Sequence, residues 1–292
     1  MTAAEIQILA REQFPKALLE IPQVPERLYI KGALPSPLDY GYLAVVGSRK
    51  YTNYGREVCE KIIADLRGTP VVIVSGLALG IDAIAHNAAL NAGLPTVAVP
   101  GSGLGAHVLY PRTNQRLAET IVQSGGALVS EFEPDFRATP YSFPQRNRIM
   151  AGIARGVLII EAGERSGTLV TARLATEYNR DVFVVPGPIF SANSAGANQL
   201  LKLGATPVTS GKDILTAWNM DSAADGTAET PGVPHDCTEV ERTLLELLDE
   251  PMTKDDLIRE SGLSITDVNI GLSTLELRGL TKEALGEVHR AI

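Results

Sequence analysis

Short, β-branched apolar runs punctuate this chain, and each is too brief to be a helix. Tyr42–Val46, Val71–Val74, Thr96–Val99, Ala127–Val129, Val157–Ile160, Val182–Val185 and Thr206–Val208 all read as strands. Between them lie stretches of helical length: Tyr54–Leu66, Ile81–Asn91, Arg112–Gln123, Thr168–Glu177 and Asn198–Lys202. Runs that are apolar throughout, rather than at every second position, belong to strands buried on both faces. Such strands, alternating with helices, predict an α/β fold: a doubly wound, mostly parallel sheet with helices on both faces.

The ends of the chain break this rhythm. Residues 1–40 hold Pro15, Pro22, Pro25, Pro35 and Pro37 and read as an extended lead-in packed against the sheet. The repeating α/β domain spans 41–220. Residues 221–236, almost without large apolar side chains, read as a linker. In 237–292 an amphipathic helix around Val240–Leu248 precedes a second helix capped at Thr253 and a third capped at Ser264, with Asp267 three places on. The last segment suits a β-ribbon. Three short helices and a ribbon predict a winged helix-turn-helix.

The net charge is −8, but it is unevenly spread. After Met220 there are 16 acidic and 6 basic residues, which leaves 18 acids and 20 bases before it. A winged helix this acidic, with a recognition helix carrying one arginine at its end, is unsuited to duplex DNA and better suited to a protein contact or a regulatory role. The main domain's positive charge gathers in Phe143–Leu174, where Arg146, Arg148, Arg155, Arg165 and Arg173 face only Glu161 and Glu164. No apolar run is long enough to cross a bilayer, no basic-then-apolar leader opens the chain, and Cys59 and Cys237 stand apart. The expected location is the cytoplasm.

In a parallel sheet, ligands sit beyond the carboxyl ends of the strands. Glycine-rich turns follow four strands here: Gly47-Ser48-Arg49, Ser75-Gly76, Gly101-Ser102-Gly103 and Ser166-Gly167-Thr168. Each offers backbone N–H groups to an anion, and two turns bring Arg49 and Arg165 with them. Tyr141 and Phe143 come just before Arg146, Asn147 and Arg148, so that a base could stack while guanidinium groups hold phosphates. Phe143 reads equally well as a core plug in a loop, and one of the two arginines is open to a structural ion-pair role.

Cofactor chemistry finds no motif. There is no G-x-G-x-x-G after the first strand and no G-x-x-x-x-G-K-[ST]; Gly101-Ser102-Gly103-Leu104-Gly105 is out of register. His107, His235 and His289 are scattered and form no metal-ligand spacing. Asp82 and His86 lie one helical turn apart near Ser75, but no serine occupies a nucleophile elbow, and the pair serves equally for packing. Neither a cofactor nor a catalytic residue is expected.

Taken together, AVVGSR followed by Tyr51-Thr52 and Tyr54-Gly55, SGLALGIDAIAHNAAL, TVAVPGSGL with Tyr110-Pro111 and Asn114, FPQRNRIMAG, and SGTLVTARLA with VFVVPGPI resemble the DNA-processing protein A (DprA/Smf) family. The motifs run in order from Leu28 to Ile214. The resemblance implies an extended Rossmann-like fold with a C-terminal winged helix. It also implies single-stranded DNA binding without catalysis, loading of the RecA recombinase during natural transformation, and a homodimer. It assigns DNA contacts to Arg49 and Phe143; together with the glycine turns and arginines read above, the expected DNA-binding residues are Gly47, Ser48, Arg49, Gly76, Phe143, Arg146, Asn147, Arg148, Ser166, Gly167 and Thr168. Many members carry a lysine three places before the motif phenylalanine, where this chain has Pro140, so a phosphate contact is expected to be lost or moved to Arg137. Many also have a helical domain ahead of the Rossmann fold; with residues 1–40 alone before Gly41, that domain is expected to be absent or reduced. The alternative is a nucleotide-processing enzyme like the lysine-decarboxylase-like phosphoribohydrolases, but Thr171 stands where their P-G-G-x-G-T-x-x-E signature has its catalytic glutamate.

Overall fold

The structure is a computed structural model that describes residues 5–220, 237–248, 251–284 and 286–290. It divides into two compact units, Met1–Ala224 and Asp225–Ile292. The expected linker, residues 221–236, lies outside the described residues.

In the first unit the strands are β1 (Ile6–Leu9), β2 (Leu28–Gly32), β3 (Gly41–Val46), β4 (Val71–Ser75), β5 (Thr96–Ala98), β6 (Ala127–Ser130), β7 (Gly156–Ile159), β8 (Asp181–Val184) and β9 (Thr206–Pro207). They form one sheet in the order β1-β2-β6-β5-β4-β3-β7-β8-β9. Neighbours from β6 through to β9 are parallel, while β2 runs antiparallel to β6 and β1 antiparallel to β2. The lead-in therefore supplies two sheet strands. Its prolines fall between β1 and β2 or after them, so they shape the connections and leave the ladders intact.

Helices cover both faces: α1 (Lys16–Leu19), α2 (Asn53–Asp65), α3 (Ile81–Asn91), α4 (Gln115–Gln123), α5 (Ser142–Ile153), α6 (Gly167–Glu177), α7 (Ala195–Lys202) and α8 (Gly211–Ala217). The period of two in β3 decides which residues meet which layer. Leu43 and Val45 pack with Ile62, Ile63 and Ile81 of α2 and α3; Tyr42, Ala44 and Val46 pack with Ile149, Ile153 and Ala172 of α5 and α6. Each fully buried aliphatic side chain contributes about 1.5–3 kcal/mol to this sandwich. Sequence patterning did not mark α5. Its first turn is Ser-Phe-Pro-Gln, and the helix buries a stripe from Arg146 to Ile153 that contains an arginine and a glycine.

Strand order reverses at β3: β4, β5 and β6 lie to one side, β7, β8 and β9 to the other. A crevice forms at such a reversal, because connections from the two sides leave on opposite faces.

The second unit contains α9 (Glu239–Leu247), α10 (Lys254–Ser261) and α11 (Ile265–Leu277), with a three-stranded sheet of β10 (Met252–Thr253), β11 (Thr281–Ala284) and β12 (Glu287–Arg290). Thr238, Thr253 and Ser264 cap the three helices, each accepting the backbone N–H three residues on. Leu244, Leu245, Leu257, Val268, Leu275 and Val288 form its own core. Arg278, at the end of α11, pairs with buried Glu241 at 3.3 Å. No helix among the described residues is long and apolar enough to cross a membrane.

Candidate nucleic-acid interface

The cleft at the strand reversal has a volume of about 480 Å³. The turn after β3 forms one wall, the turn before α6 another, and α5 the floor. Ser142 fixes the start of α5, where its Oγ donates to the Gly101 carbonyl at 2.6 Å and accepts from Thr139 N at 3.0 Å. Phe143, Arg146 and Met150 then fall on the face that lines the cleft.

Two of the glycine turns act as sockets for this helix. A Cβ on Gly101 would lie 2.6 Å from the Phe143 ring, and one on Gly76 would collide with the Arg146 guanidinium. Gly76 is thus covered by Arg146 and does not line the cleft. Gly47 has a related constraint, since its Cβ would meet Ile81 at 2.7 Å. These positions need glycine for close packing, and only the cleft-facing turns keep backbone free to meet a ligand.

Arg146 is 4% exposed. Its Nη1 donates to the carbonyls of Gly76 and Val99, and its Nε donates to Asn147 Oδ1 at 3.1 Å. Burial lowers its pKa to about 10, with Asp82 working against that shift. Burial likewise pushes the Asp82 carboxyl up, opposed by Arg146, the Ala78 N–H and Arg49. The two make the buried polar floor of the cleft.

Above it the chemistry is cationic and aromatic. The Arg49 guanidinium carbon stands 5.0 Å from the Phe143 ring centroid, and Tyr110 is tilted against the same ring at 5.6 Å. Lys50 and Arg165 line the walls and are exposed. Among the described residues, Arg49, Lys50 and Arg165 form no ion pair. Ser166 caps α6, its Oγ accepting from Thr168 N at 3.1 Å, and directs that helix's positive end into the cleft. Glu161 does not offset these charges at the surface. It is buried and accepts from Thr52 N at 3.0 Å and Thr52 Oγ1 at 2.6 Å, clamping the end of β7 to the start of α2.

The cleft thus gathers Gly47, Ser48, Arg49, Phe143, Arg146, Asn147, Ser166, Gly167 and Thr168. Arg148 lies elsewhere: two residues along a helix is a rotation of about 200°, and Arg148 pairs with Glu131 and donates to the Gln23 carbonyl. Lys50 and Asn193 join the site without having stood out in the sequence, while Tyr110, a motif residue there, supports the Phe143 ring. Lys50 was legible as the neighbour of Arg49, whereas Asn193 reaches the cleft only through a loop closed by tertiary contacts.

The hydroxyl, acid and base near β4 do not converge as a triad. Ser75 Oγ donates to Val45 O at 2.7 Å, His86 Nδ1 bonds Thr96 Oγ1 at 2.8 Å, and Asp82 accepts from Ala78 N at 3.3 Å. Among the described residues no cluster of His, Cys, Asp or Glu could hold a metal ion.

Fold and site together define a Rossmann-like α/β protein with a cationic, aromatic-lined cleft at its topological switch point and an appended winged helix. The chain belongs to the DNA recombination-mediator protein A family, whose sequence profile matches residues 5–219, and residues 227–285 match the DprA winged helix domain. It is 39% identical to Protein Smf of Escherichia coli over 274 residues, covering 92% of this chain and 72% of that protein. It is 45% identical to the DNA processing protein DprA of Streptococcus pneumoniae over 205 residues, covering 70% and 71%. The X-ray structure of S. pneumoniae DprA superposes with a TM-score of 0.67 at 40% identity, covering 73% of this chain and 74% of that one. DNA processing protein A of Helicobacter pylori, described for its unique single-stranded DNA binding mode, superposes with a TM-score of 0.65 at 30% identity, covering 75% and 99%.

Proposed function

We propose that this protein binds single-stranded DNA in the cleft at the strand reversal and acts as a recombination mediator. The observation that carries the reading is Arg49 held over the Phe143 ring, with Lys50 and Arg165 beside it and none of the three in an ion pair among the described residues. A strand's phosphates need cations that no carboxylate has claimed, and its bases need an aromatic surface. The single-stranded DNA binding described for the H. pylori relative supports the choice of polymer. Loading of a RecA-type recombinase onto that strand in the cytoplasm during DNA uptake, by a homodimer, is the finer form of the proposal. The function is binding without catalysis, in keeping with the separate engagements of Ser75, Asp82 and His86.

Fluorescence anisotropy with a labelled oligothymidine tests the binding step. Arg49→Ala is expected to weaken binding about tenfold, since it removes a phosphate contact and uncovers one side of Phe143. It is also expected to flatten the dependence of log K on log salt by about 0.7. Equal affinity and slope for the variant and the wild type would overturn the assignment. Removing residues 221–292 is expected to leave strand binding intact, because every cleft residue lies in the first unit; a loss of binding by a folded truncated chain would move the site. The mediator step is checked by the rate at which a RecA recombinase assembles on single-stranded DNA with and without the full chain.

A further inference from the structure

The loop between β8 and α7 exposes its two largest apolar side chains, Ile189 at 81% and Phe190 at 97%. Leaving such side chains in water forgoes about 1.5–3 kcal/mol each. The loop is not loose at its base. Asn198 brackets Gly187, donating to its carbonyl at 3.0 Å and accepting its N–H at 3.2 Å. Tyr54 Oη donates to the Pro186 carbonyl at 2.7 Å, and Ser191 N donates to the Pro188 carbonyl at 3.0 Å. Asn193 Nδ2 donates to the Lys50 carbonyl at 2.7 Å, which ties the loop to the turn carrying Arg49 and Lys50. Asn193 itself lines the cleft, so Phe190 stands three residues from the site just described.

We infer that the Ile189–Phe190 tip is a second base-stacking platform, which extends the path of a bound single strand from the Phe143 cleft across the ends of β3, β7 and β8. This rests on the single-strand reading above and adds to it a second contact and a binding length. Phe143 sits against Gly101 after β5, and Phe190 follows β8, four interstrand steps away in the sheet order. At about 4.8 Å per step the separation is about 19 Å, the span of about six stacked nucleotides. Arg49, Lys50 and the α6 N-terminal turn with Arg165 lie along the intervening strand ends. Cations between two aromatic surfaces are what a sequence-tolerant single-strand track requires. This continuity with the cleft favours nucleic acid over a protein partner at the loop.

The test is anisotropy with oligothymidines of about 4 to 16 nucleotides, using the full chain as wild type, Phe190→Ala and Phe190→Trp, each with its mass in solution measured by light scattering. Wild-type affinity is expected to rise with length until the oligomer spans both platforms. Phe190→Ala should lose at least about fivefold of that gain, the effect of one stacked base. Phe190→Trp should keep the gain and show a fluorescence quench that grows with oligomer length and is absent from the wild type. The inference is overturned if Phe190→Ala keeps the full length dependence, or if its loss of affinity accompanies a change in oligomeric mass, which would make the loop a contact between copies. Failure of the wild type to bind at any length would overturn the single-strand reading as well, so the two failures are distinguishable.

Discussion

Replacing Arg146 with methionine is expected to lower the free energy of unfolding of the α/β unit by about 1–3 kcal/mol for each buried acceptor it leaves unpaired. Three losses coincide at this residue. Asp82, buried beneath the cleft, loses the cation that most opposes its desolvation. The carbonyls of Gly76 and Val99 lose their shared donor in a region closed to water, and the socket made by Gly76 stands empty. The readout is urea unfolding followed by fluorescence of Trp218, the single tryptophan, which is buried in this unit. Arg165→Ala, at an exposed wall position, is the control and should change stability by less than about 0.5 kcal/mol. If Arg146→Met proves as mild as that control, Arg146 is not the support of the floor, and a direct role toward the ligand would be favoured instead.

Acid should destabilise the same unit through His86. Burial, with a smaller contribution from the Arg146 charge, pushes its pKa from 6.5 to about 3, against a backbone hydrogen bond to Ser75. The folded state keeps the ring neutral while the unfolded state takes up a proton. The stabilising contribution is therefore complete above pH 6.5 and is lost as pH falls towards about 3. At about 1.36 kcal/mol per unit, the full window amounts to about 5 kcal/mol. Asp82 has the opposite sign, because its folded pKa is raised from 3.8: protonation favours the folded state as pH falls through the raised value, which offsets part of the loss. His86→Asn can keep a partner for Thr96 Oγ1 while removing the titration. Its unfolding free energy should vary markedly less between pH 6.5 and 4 than that of the wild type. An unchanged slope would show that another group governs acid sensitivity.

Both effects arise under a cleft whose outline is partly legible in the sequence. The alternation of β-branched runs with helical stretches defined most of the sheet, because strands buried on both faces leave continuous apolar runs. Ser264 and Asp267 marked the start of α11 through the capping chemistry found there. The lead-in was harder to read: a count of prolines says nothing of their placement, and here they fall outside β1 and β2. The helix α5 was missed because its buried stripe includes Arg146, whose burial is tolerated only through partners remote in sequence.

The sequence by itself determined the parallel sheet, the glycine turns at its carboxyl edge, the concentration of arginine before and after β7, and the family. Those features are local or compositional, and a single chain displays them directly. The tertiary structure alone decided how the charges divide. On α5, Arg146 turns down to the carbonyls of Gly76 and Val99 while Arg148 turns away to Glu131, since positions two apart point in nearly opposite directions. Glu161 is drawn into a clamp on Thr52, and Gly76 and Gly101 become sockets for side chains some 70 and 42 positions along the chain. Which cation is left free to meet a ligand depends on which carboxylates and carbonyls fold against the others, and no pattern along the chain records that.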